Sequence, residues 1–420
     1  MTTQAIEKFA SALKTIPFEN EIPAKEKSWL ESYSNELNLS FQQIKIILEY
    51  SRDIKMWQEK PLSHLDFSQH KKLNKKLFFN QIKKYVESLK DPQKKTYEVP
   101  EKKLTRDSAL SFGVADTESK IISTCPVYSD KTLCCNLQTL DVALNCAFGC
   151  TYCSIQSFYE GQDTILMEEN LEQKLDAIPI DPNLTYHIGT GQSSDSLLWG
   201  NKNGNLETLF NWARKHPNVI LELKTKSKNI KFLLETDLPK NLLFTWTMNP
   251  DVVIQNEELY TASLEERLRS ARKLADKGHL VGFHFHPMFY FDNCEQEYAA
   301  IVKRIVNTFD VNKVALISLG TLTFTPSVIK EIRQKKVPSK VLQMPMVEAD
   351  GKLSYPDEIK HKLFRMVYDN FAPWHDQVFF YLCMENKRHW KPVFGFEYKD
   401  NDEFELAMKN AYMNKIKALT

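Results

Sequence analysis

Three cysteines lie within one short segment, Asn145-Cys146-Ala147-Phe148-Gly149-Cys150-Thr151-Tyr152-Cys153. A structural zinc site closes its shell with four protein ligands, commonly two cysteine pairs or a cysteine pair followed by paired histidines. No second pair follows this segment at a suitable distance. Three thiolates therefore leave one metal position open, and a four-iron cluster held in this way has one iron free for an outside ligand. A zinc knuckle, or three unrelated thiols, is the alternative interpretation.

Length and composition favour an enzyme over a small binding module. The chain has 420 residues, of which 42% are hydrophobic, so it can bury a large core in one sizeable domain with an appendage or in two domains. Its formal net charge of +1 excludes a global field that would attract nucleic acid or membrane. Neither a basic start with an apolar core nor a long apolar run is present, so we expect no membrane segment. Eight cysteines with three of them clustered indicate a reducing, cytoplasmic location.

The central part of the chain alternates between β-rich and helical patterns. Short β-rich runs occur at Leu184–Ile188, Val219–Leu223, Leu242–Thr247, Leu280–Phe285 and Val314–Ser318. A first strand is predicted at about Thr139–Leu144, and helical patterns occupy Leu206–Lys215, Leu264–Lys277 and Tyr298–Phe309. Six strand-helix units predict an α/β fold with a parallel sheet, in the form of a partial (β/α)6 barrel that resembles an open TIM barrel.

The first hundred residues are Lys-rich with apolar residues near helical spacing, and two prolines then interrupt the pattern, which predicts a linker near residues 91–106. We predict a helical N-terminal extension and linker at 1–105, the barrel at 106–345, and a C-terminal helical or mixed segment packed on the barrel at 346–420. From Lys71 to Arg106 there are 12 Lys or Arg residues against 4 Asp or Glu. This stretch offers a phosphate-contacting face, and a solvated helix surface is the other interpretation.

Ligands of parallel barrels gather at the carboxyl ends of the strands, and the cysteine segment follows the first predicted strand as this rule requires. After the second strand comes Gly189-Thr190-Gly191-Gln192-Ser193-Ser194-Asp195-Ser196. Its glycines let a ligand approach the backbone, and its hydroxyl and amide groups can bind an ammonium or a carboxylate. A capping turn with Ser193, Ser194 or Asp195 as the N-cap is the alternative.

The next three strand ends also carry polar side chains. Lys224-Thr225-Lys226-Ser227 suits a carboxylate or phosphate, although a solvated helix start has the same pattern. Asn249 follows the fourth strand and can hydrogen-bond adenosine or substrate. His284 and His286 lie two residues apart on the fifth strand, so they share a face that looks into a site or into the barrel interior.

The spacing Cys-x-x-x-Cys-x-x-Cys, with an aromatic residue before the third cysteine, resembles the cluster loop of radical S-adenosylmethionine (SAM) enzymes. Within that superfamily the chain is similar to the spore photoproduct lyase family over roughly residues 135 to 400. The motifs that carry the resemblance, besides the cluster loop and the Gly189 turn with Asp195-Ser196-Leu197, are Leu223-Lys224-Thr225-Lys226-Ser227, Asn249-Pro250-Asp251, Thr261-Ala262-Ser263-Leu264-Glu265-Glu266-Arg267-Leu268, Gly282-Phe283-His284-Phe285-His286-Pro287 and Phe379-Phe380-Tyr381-Leu382-Cys383-Met384-Glu385.

The resemblance implies that Cys146, Cys150 and Cys153 ligate a 4Fe-4S cluster and that SAM occupies the fourth iron. One electron from the cluster would cleave SAM to a 5′-deoxyadenosyl radical, which abstracts hydrogen from a substrate, in this family a thymine photodimer in DNA. Implied partners are DNA and a low-potential electron donor of the flavodoxin or ferredoxin type. The candidate cofactor contacts are Gly189, Gly191, Gln192, Ser194, Lys224, Ser227 and Asn249, and the candidate catalytic side chains are Tyr152, His284 and His286.

The chain departs from the family pattern at two positions. The characterised lyases have a cysteine, which donates hydrogen to the product radical, where this chain has Gln192, and a second tyrosine where it has Ser154. Gln192 keeps an acceptor oxygen for an ammonium group but lacks the thiol. A radical SAM reaction on a different substrate is therefore an alternative function, and a zinc-binding nucleic-acid module is an alternative of another class. Cys125, Cys134 and Cys135 are interpreted as buried structural thiols, with a second cluster as the alternative.

Overall fold

An eight-stranded sheet, curled into a half-barrel, occupies the centre of the molecule, and all but one of its strands run parallel. The computed structural model describes residues 3–68, 72–91, 97–100, 111–116, 121–125, 131–154, 164–349 and 351–419. In spatial order the strands are β16 (Phe379–Leu382), β12 (Val314–Thr321), β11 (Leu280–Met288), β9 (Leu242–Thr247), β8 (Val219–Thr225), β7 (Tyr186–Thr190), β3 (Gln138–Leu140) and the antiparallel edge strand β2 (Ile122–Thr124).

Three smaller sheets surround this half-barrel. One contains β1 (Ser111–Ala115), β6 (Thr164–Glu168) and β4 (Ala143–Leu144), and another contains β13 (Thr323–Phe324), β15 (Lys352–Ser354) and β14 (Val347–Ala349). The third consists of β5 (Gly149–Cys150) and β10 (Glu258–Leu259), paired antiparallel.

The helices of the described residues fall into two groups. The N-terminal group is α1 (Thr3–Lys14), α2 (Ala24–Leu37), α3 (Phe41–Trp57) and α4 (Lys75–Ser88). The group that accompanies the sheet is α5 (Leu171–Asp176), α6 (Asn205–Lys215), α7 (Lys231–Glu235), α8 (Asp251–Glu257), α9 (Leu264–Asp276), α10 (Cys294–Thr308), α11 (Pro326–Gln334), α12 (Asp357–Asn370), α13 (Trp390–Phe394) and α14 (Asn401–Lys417). In the part of the chain that the structure describes, no helix combines the length and apolarity needed to cross a bilayer.

The predicted fold class is confirmed, because the six predicted strands are present and pair in parallel in their predicted order. Their side chains are buried on both faces, as in β9, because helices cover the outside of the sheet and α14 packs across β8, β12 and β16. The predicted helices correspond to α6, α9 and α10.

Two details differ from the sequence-based expectation. The first strand ends at Leu140 instead of continuing to Leu144, because β4 leaves the barrel sheet and pairs antiparallel with β6. In the C-terminal segment, β16 is a seventh parallel strand beside β12, so this segment contributes to the barrel sheet itself. The four-residue run of β16 is apolar and aromatic and has no distinguishing periodicity, which is why its place in the sheet was not predicted.

The N-terminal helices pack into the same apolar core as the barrel, with Leu48 and Trp57 of α3 among the buried side chains. Helix α3 starts with a capping box in which Ser40 and Gln43 satisfy each other's backbone amides. The predicted linker at 91–106 lies mostly outside the described residues, as do Lys71 and Arg106 at the two ends of the basic stretch. The predicted domain boundaries therefore remain predictions.

Gly282 allows β11 to pack tightly between its neighbours. A Cβ atom at this position would lie 2.7 Å from Cγ of Leu316 and 3.0 Å from Cγ2 of Thr245. We expect Gly282→Ala to lower the free energy of unfolding by about 1–3 kcal/mol, because overpacking in a close-packed core forces its neighbours to move. Urea denaturation of both proteins measures this difference, and an unchanged midpoint and slope would show that the sheet relaxes at no cost.

Candidate metal centre and cofactor site

A cavity of about 220 Å³ lies at the carboxyl ends of the barrel strands. Side chains from β8, β11 and β12 line it, together with the turn after β7 and the cysteine loop. The cavity thus brings together segments that are more than a hundred residues apart in sequence, as the parallel-barrel rule predicts.

Cys146, Cys150 and Cys153 all line this cavity as thiols. Burial raises the pKa of Cys150 to about 12, against the opposing effect of Lys226, and burial also raises the pKa of Cys146 above its ordinary value. A metal that binds here must therefore displace thiol protons. Three soft sulfur donors that face one cavity fit an iron–sulfur cluster whose remaining position opens into that cavity.

The three cysteines are not arranged to bind a single metal ion. Among the residues that the structure describes, no three His, Cys, Asp or Glu side chains are grouped as the ligands of one metal ion would be. In a four-iron cluster the thiolates bind different irons, so they do not converge on one point.

The backbone of the cysteine loop is fixed from both sides. Asn145 has a left-handed backbone (φ 67°), and its side-chain amide donates to the carbonyl of Thr164 at 2.8 Å. Strand β5 within the loop pairs with β10, where a Cβ atom on Gly149 would lie 3.2 Å from Cβ of Leu259. Only glycine lets the two strands approach this closely.

Two adjacent carboxylates, Glu257 and Glu258, are buried next to the loop. Glu258 accepts hydrogen bonds from the Tyr152 phenol (2.5 Å), the Asn249 amide (2.9 Å) and the Arg267 guanidinium (2.5 Å). Burial opposes the charge on Glu258, but Arg267 and Lys226 outweigh it and hold its pKa below the ordinary value. Tyr152 is thereby fixed against the cavity wall as a hydrogen-bond donor, and its pKa is raised well above the usual range by burial and by Glu258.

Glu257 joins the loop to a different set of residues. It accepts from the hydroxyls of Thr151, of Ser339 (2.7 Å) and of Tyr97 (2.9 Å), and from the backbone amide of Lys340 (2.7 Å). Burial raises its pKa, while these donors act in the opposite direction. Every oxygen of this carboxylate is therefore used to hold backbone segments together.

The turn after β7 makes a close approach that requires glycine. Gly191 has φ +89°, and a Cβ atom there would lie 2.7 Å from the carbonyl oxygen of Lys224. The hydroxyls of Ser193 and Ser194 donate to the carbonyls of Ala143 and Asn145, both at 2.7 Å. The turn thus supports the chain that leads into the cysteine loop.

Asp195 accepts local backbone hydrogen bonds, but the residues that follow it form a turn and not a helix, so it is not the N-cap of the alternative interpretation. Its carboxylate accepts from the amides of Leu197 (3.1 Å) and Leu198 (2.9 Å). It also accepts from the hydroxyl of Thr225 and the amide of Lys226, both at 2.7 Å, and so connects the turn to the end of β8.

The predicted cofactor contacts divide into two groups. Those that line the cavity are Gly189, Gly191, Gln192, Ser194 and Lys224. Ser227 and Asn249 are not among the cavity-lining residues: the Ser227 hydroxyl accepts from the amide of Asn229 at 3.0 Å, and Asn249 is bonded to Glu258 and accepts from the Tyr298 phenol at 2.8 Å. That these two residues contact the cofactor stays a prediction, and their position outside the cavity lining does not support it.

The two candidate histidines both line the cavity, and His284 belongs to a buried network around Glu222. Glu222 accepts from Nε2 of His187 (2.8 Å), Nε2 of His284 (2.8 Å) and the Thr245 hydroxyl (2.7 Å). His284 Nδ1 lies 2.5 Å from the Ser318 hydroxyl. Burial opposes the charge of Glu222, but its hydrogen bonds from the two imidazoles hold its pKa well below the ordinary value.

His286 has a different environment. Burial lowers its pKa well below the ordinary value, and its Nδ1 atom has no hydrogen-bond partner within the described part of the chain. Gly320 leaves the space for its ring, since a Cβ atom there would lie 2.7 Å from the His286 ring. The buried environment thus favours the neutral form of His286.

Four further cysteines, Cys125, Cys134, Cys135 and Cys383, line the same cavity, whereas Cys294 is buried in α10. The thiols of Cys134 and Cys135 interact with each other: the hydrogen bond from Cys135 lowers the pKa of Cys134 to about 7, and that of Cys135 is raised well above its ordinary value. Their exposure to the cavity was not predicted.

Sequence reasoning also missed charged residues around the site, namely the buried Glu222, Glu257, Glu258 and Arg267 and the partly buried Lys335. The available signal was a lone glutamate inside the apolar run Val219-Ile220-Leu221-Glu222-Leu223, since a charge in a buried strand must be paired. The other four occur in helices, at a helix end or in the two-residue strand β10, where the sequence gives no sign that a charge is buried.

A curled parallel sheet with a three-thiol loop at the carboxyl ends of its strands is the architecture of a radical SAM barrel. A family model described as spore photoproduct lyase matches residues 132–368, more than half of the chain. The chain belongs to the spore photoproduct lyase family, which confirms the resemblance found in the sequence.

Individual relatives match more restricted regions. A spore photoproduct lyase of Clostridium acetobutylicum is 25% identical over 170 residues, which is 39% of this chain and 50% of that protein. A spore photoproduct lyase of Geobacillus sp. is 29% identical over 104 residues, which is 25% of this chain and 29% of the relative. The chain thus spans half or less of the length of the curated relatives it matches.

Solved structures cover more of the chain. A spore photoproduct lyase complexed with dinucleoside spore photoproduct has a TM-score of 0.56 at 16% identity, over 73% of this chain and 94% of that chain. A double mutant of spore photoproduct lyase with bound AdoMet and dinucleoside spore photoproduct has a TM-score of 0.55 at 18% identity, over 66% and 82% of the two chains. At these identities the likeness establishes the fold.

The pH dependence of stability tests the buried His284. Burial lowers the pKa of His284 to about 4, with Lys224 acting in the same direction, whereas a histidine in the unfolded chain titrates near about pH 6.5. The stabilisation is therefore complete above about pH 6.5 and is lost as the pH falls towards 4, because the unfolded chain binds a proton that the folded chain does not.

We expect His284→Gln to reduce the slope of the free energy of unfolding against pH in this window by up to about 1.4 kcal/mol per pH unit. Urea denaturation at several pH values measures the slope. His279, His286 and His389, whose pKa values burial also lowers, contribute to the slope that remains. A variant with an unchanged slope would show that His284 is charged in the folded chain.

Proposed function

We propose that the chain is a radical SAM enzyme that acts on a thymine photodimer in DNA. The observation that carries the proposal is the shared cavity: the three cluster-loop cysteines, the glycine turn after β7 and Lys224 all line it. Membership of the spore photoproduct lyase family supports the interpretation as an enzyme over the alternative of a zinc-binding nucleic-acid module.

In this proposal Cys146, Cys150 and Cys153 hold a 4Fe-4S cluster, and SAM binds at its open iron. When reduced, the cluster would supply the one electron that cleaves SAM, and the resulting radical would take a hydrogen atom from the substrate. The chain's own part is to bind, orient and shield the reactants. Lys226 and Arg267 place positive charge near the cysteine loop. Both act to lower the pKa of Cys150, against the larger effect of burial.

The turn after β7 and the end of β8 suit the amino acid part of SAM. Gly191 leaves its backbone open to close approach, Gln192 offers an amide oxygen to an ammonium group, and Lys224 offers a cation to a carboxylate. The same residues rank among the predicted cofactor contacts, and their common cavity supports that assignment.

The thymine dimer is proposed from the relatives. Curated relatives are named spore photoproduct lyase, and related solved structures contain a dinucleoside spore photoproduct. Lysines exposed on and just before α4, namely Lys72, Lys75, Lys76, Lys83 and Lys84, offer a face for DNA phosphates. A ferredoxin or flavodoxin type of protein is the proposed electron donor.

Gln192 bears directly on the substrate, because it lines the cavity where the family places a thiol donor. The thiols of Cys134, Cys135 and Cys383 line the same cavity, so a hydrogen atom for a product radical has other sources there. The thiyl radical left behind would be restored to a thiol by one electron from the donor protein and one proton. A different substrate for the same radical is the second candidate, and the absence of a thiol at Gln192 is the observation that favours it.

The cluster is tested by anaerobic reconstitution with iron and sulfide. We expect about four irons per chain and thiolate-to-iron absorption in the unchanged protein, and loss of both in Cys150→Ala, because one of three cluster ligands is removed. Cys294→Ala, which removes a buried thiol outside the cavity lining, is the matched control and should keep both signals. Retention of zinc alone by the unchanged protein would contradict the proposal.

The substrate is tested with dithionite, SAM and ultraviolet-irradiated DNA that carries the spore-type thymine dimer. We expect 5′-deoxyadenosine to form and the dimer to be converted to thymine. If a cavity thiol supplies the returning hydrogen, Cys134→Ser or Cys135→Ser should lower thymine yield at least about tenfold, while 5′-deoxyadenosine still forms. Formation of 5′-deoxyadenosine with a persistent dimer would instead support the second candidate.

A further inference from the structure

The N-terminal helices reach the cysteine loop through a lysine that the fold places beside it. Lys335 lies just after α11, and its ammonium group donates to the carbonyl oxygens of Cys150 and Thr151, both at 2.9 Å. Cys150 is one of the proposed cluster ligands, so this contact acts on the backbone of the ligand itself.

The backbone of Lys335 is in turn held by a residue of helix α3. The guanidinium of Arg52 donates to the carbonyl of Arg333 at 2.6 Å and to that of Lys335 at 2.5 Å, and Arg52 is only 2% exposed. The side chain of Arg333 returns to α3, where it makes two bonds of 2.8 Å to Asp53 and an ion pair of 2.9 Å to Glu49. A bidentate pair of this kind fixes orientation as well as distance.

A second route from the N-terminal region converges on the same loop. Ser339 donates its amide to the carbonyl of Met56 in α3 at 3.0 Å and its hydroxyl to Glu257 at 2.7 Å. Tyr97, which precedes the barrel, also donates to Glu257, and Glu257 accepts from Thr151. Both routes therefore meet at Thr151, and the route through Lys335 also reaches Cys150.

Lys335 also brings charge to the site. As ligands of the proposed cluster, three thiolates would place negative charge in a partly buried loop, where the effective dielectric constant is lower than in water and a nearby ammonium has a correspondingly larger effect. A cation beside a cluster stabilises its reduced state more than its oxidised state, because the reduced state carries one more negative charge.

We propose that Lys335 is a positioning residue of the cluster loop and that the N-terminal helices, through Arg52, hold it there. The inference rests on the proposed function for its effect on the cluster, but the positioning of the loop is a property of the chain without any cluster. The helical extension then serves the site directly, in addition to any role in binding DNA.

The positioning is tested first on the full chain without metal. Hydrogen exchange is measured at the amides of Thr151 and Cys153, which donate to the carbonyls of Glu257 and Cys150. We expect Lys335→Met to speed their exchange about tenfold, because two hydrogen bonds to the loop are lost. Lys336→Met, the exposed neighbour, removes the same charge and should leave the exchange unchanged. Equal exchange in the two variants would overturn the proposal.

The effect on the cluster is tested by its midpoint potential in the reconstituted full chain. We expect Lys335→Met to lower the ratio of reduced to oxidised cluster about tenfold at a fixed potential, which is about 59 mV for one electron. Lys335→Arg keeps the charge and should restore the potential, whereas a purely structural residue would not show this dependence on charge. A potential unaffected by Lys335→Met would contradict the electrostatic part.

The role of Arg52 is tested by comparing its substitution in the unchanged chain and in a chain that already lacks Lys335. Arg52→Met should speed release of iron to a chelator, and the effect should be smaller in a chain that already carries Lys335→Met, because the two residues act in series. Additive effects would show that Arg52 does not act through Lys335. Should the unchanged protein bind no cluster, the proposed function fails, while the exchange measurement still decides the positioning.

Discussion

The two adjacent carboxylates Glu257 and Glu258 form the contact on which the cysteine loop depends. A buried carboxylate is costly unless its oxygens are paired, and here each one binds groups from several segments. Glu258 joins Tyr152 of the loop to Arg267 of the barrel helix α9, and Glu257 joins Thr151 to Ser339 and Tyr97. Because both carboxylates sit at the β5–β10 pairing, removal of either leaves a buried partner without its counter-charge or acceptor.

The charges around the loop are arranged for a negative occupant. Lys226 and Lys335 are both close to the loop, and Arg267 lies behind it on Glu258. Burial favours the protonated thiols of Cys146 and Cys150. Metal binding would exchange thiol protons for a metal and leave thiolates that the cations can stabilise. The backbone of the loop is thus held by hydrogen bonds, and cations lie close to it. Nearby positive charge favours a cluster that must accept electrons.

The strand-helix alternation and the position of the cysteine loop were predictable, because the β-rich runs and the spacing of Cys146, Cys150 and Cys153 are local patterns. Lys224 and Gly191 could be assigned to the site because strand ends of a parallel barrel converge. The roles of Ser193 and Ser194 in supporting the loop were not predictable, since a hydroxyl in a turn has the same sequence pattern whether it binds a ligand or donates to a distant carbonyl. Lys335 and Arg52 could not be found at all, because they meet only through the packing of α3 against α11.

The central claim is that the three thiols hold a cluster with one iron open to the cavity, where SAM binds. Electron paramagnetic resonance of the reduced, reconstituted protein tests it most directly, with spectra recorded before and after addition of SAM. The account predicts a 4Fe-4S signal that changes when SAM is added, because a ligand joins one iron of the cluster. A cluster signal that stays the same at saturating SAM would contradict it, since the open position would then not face the proposed cofactor site.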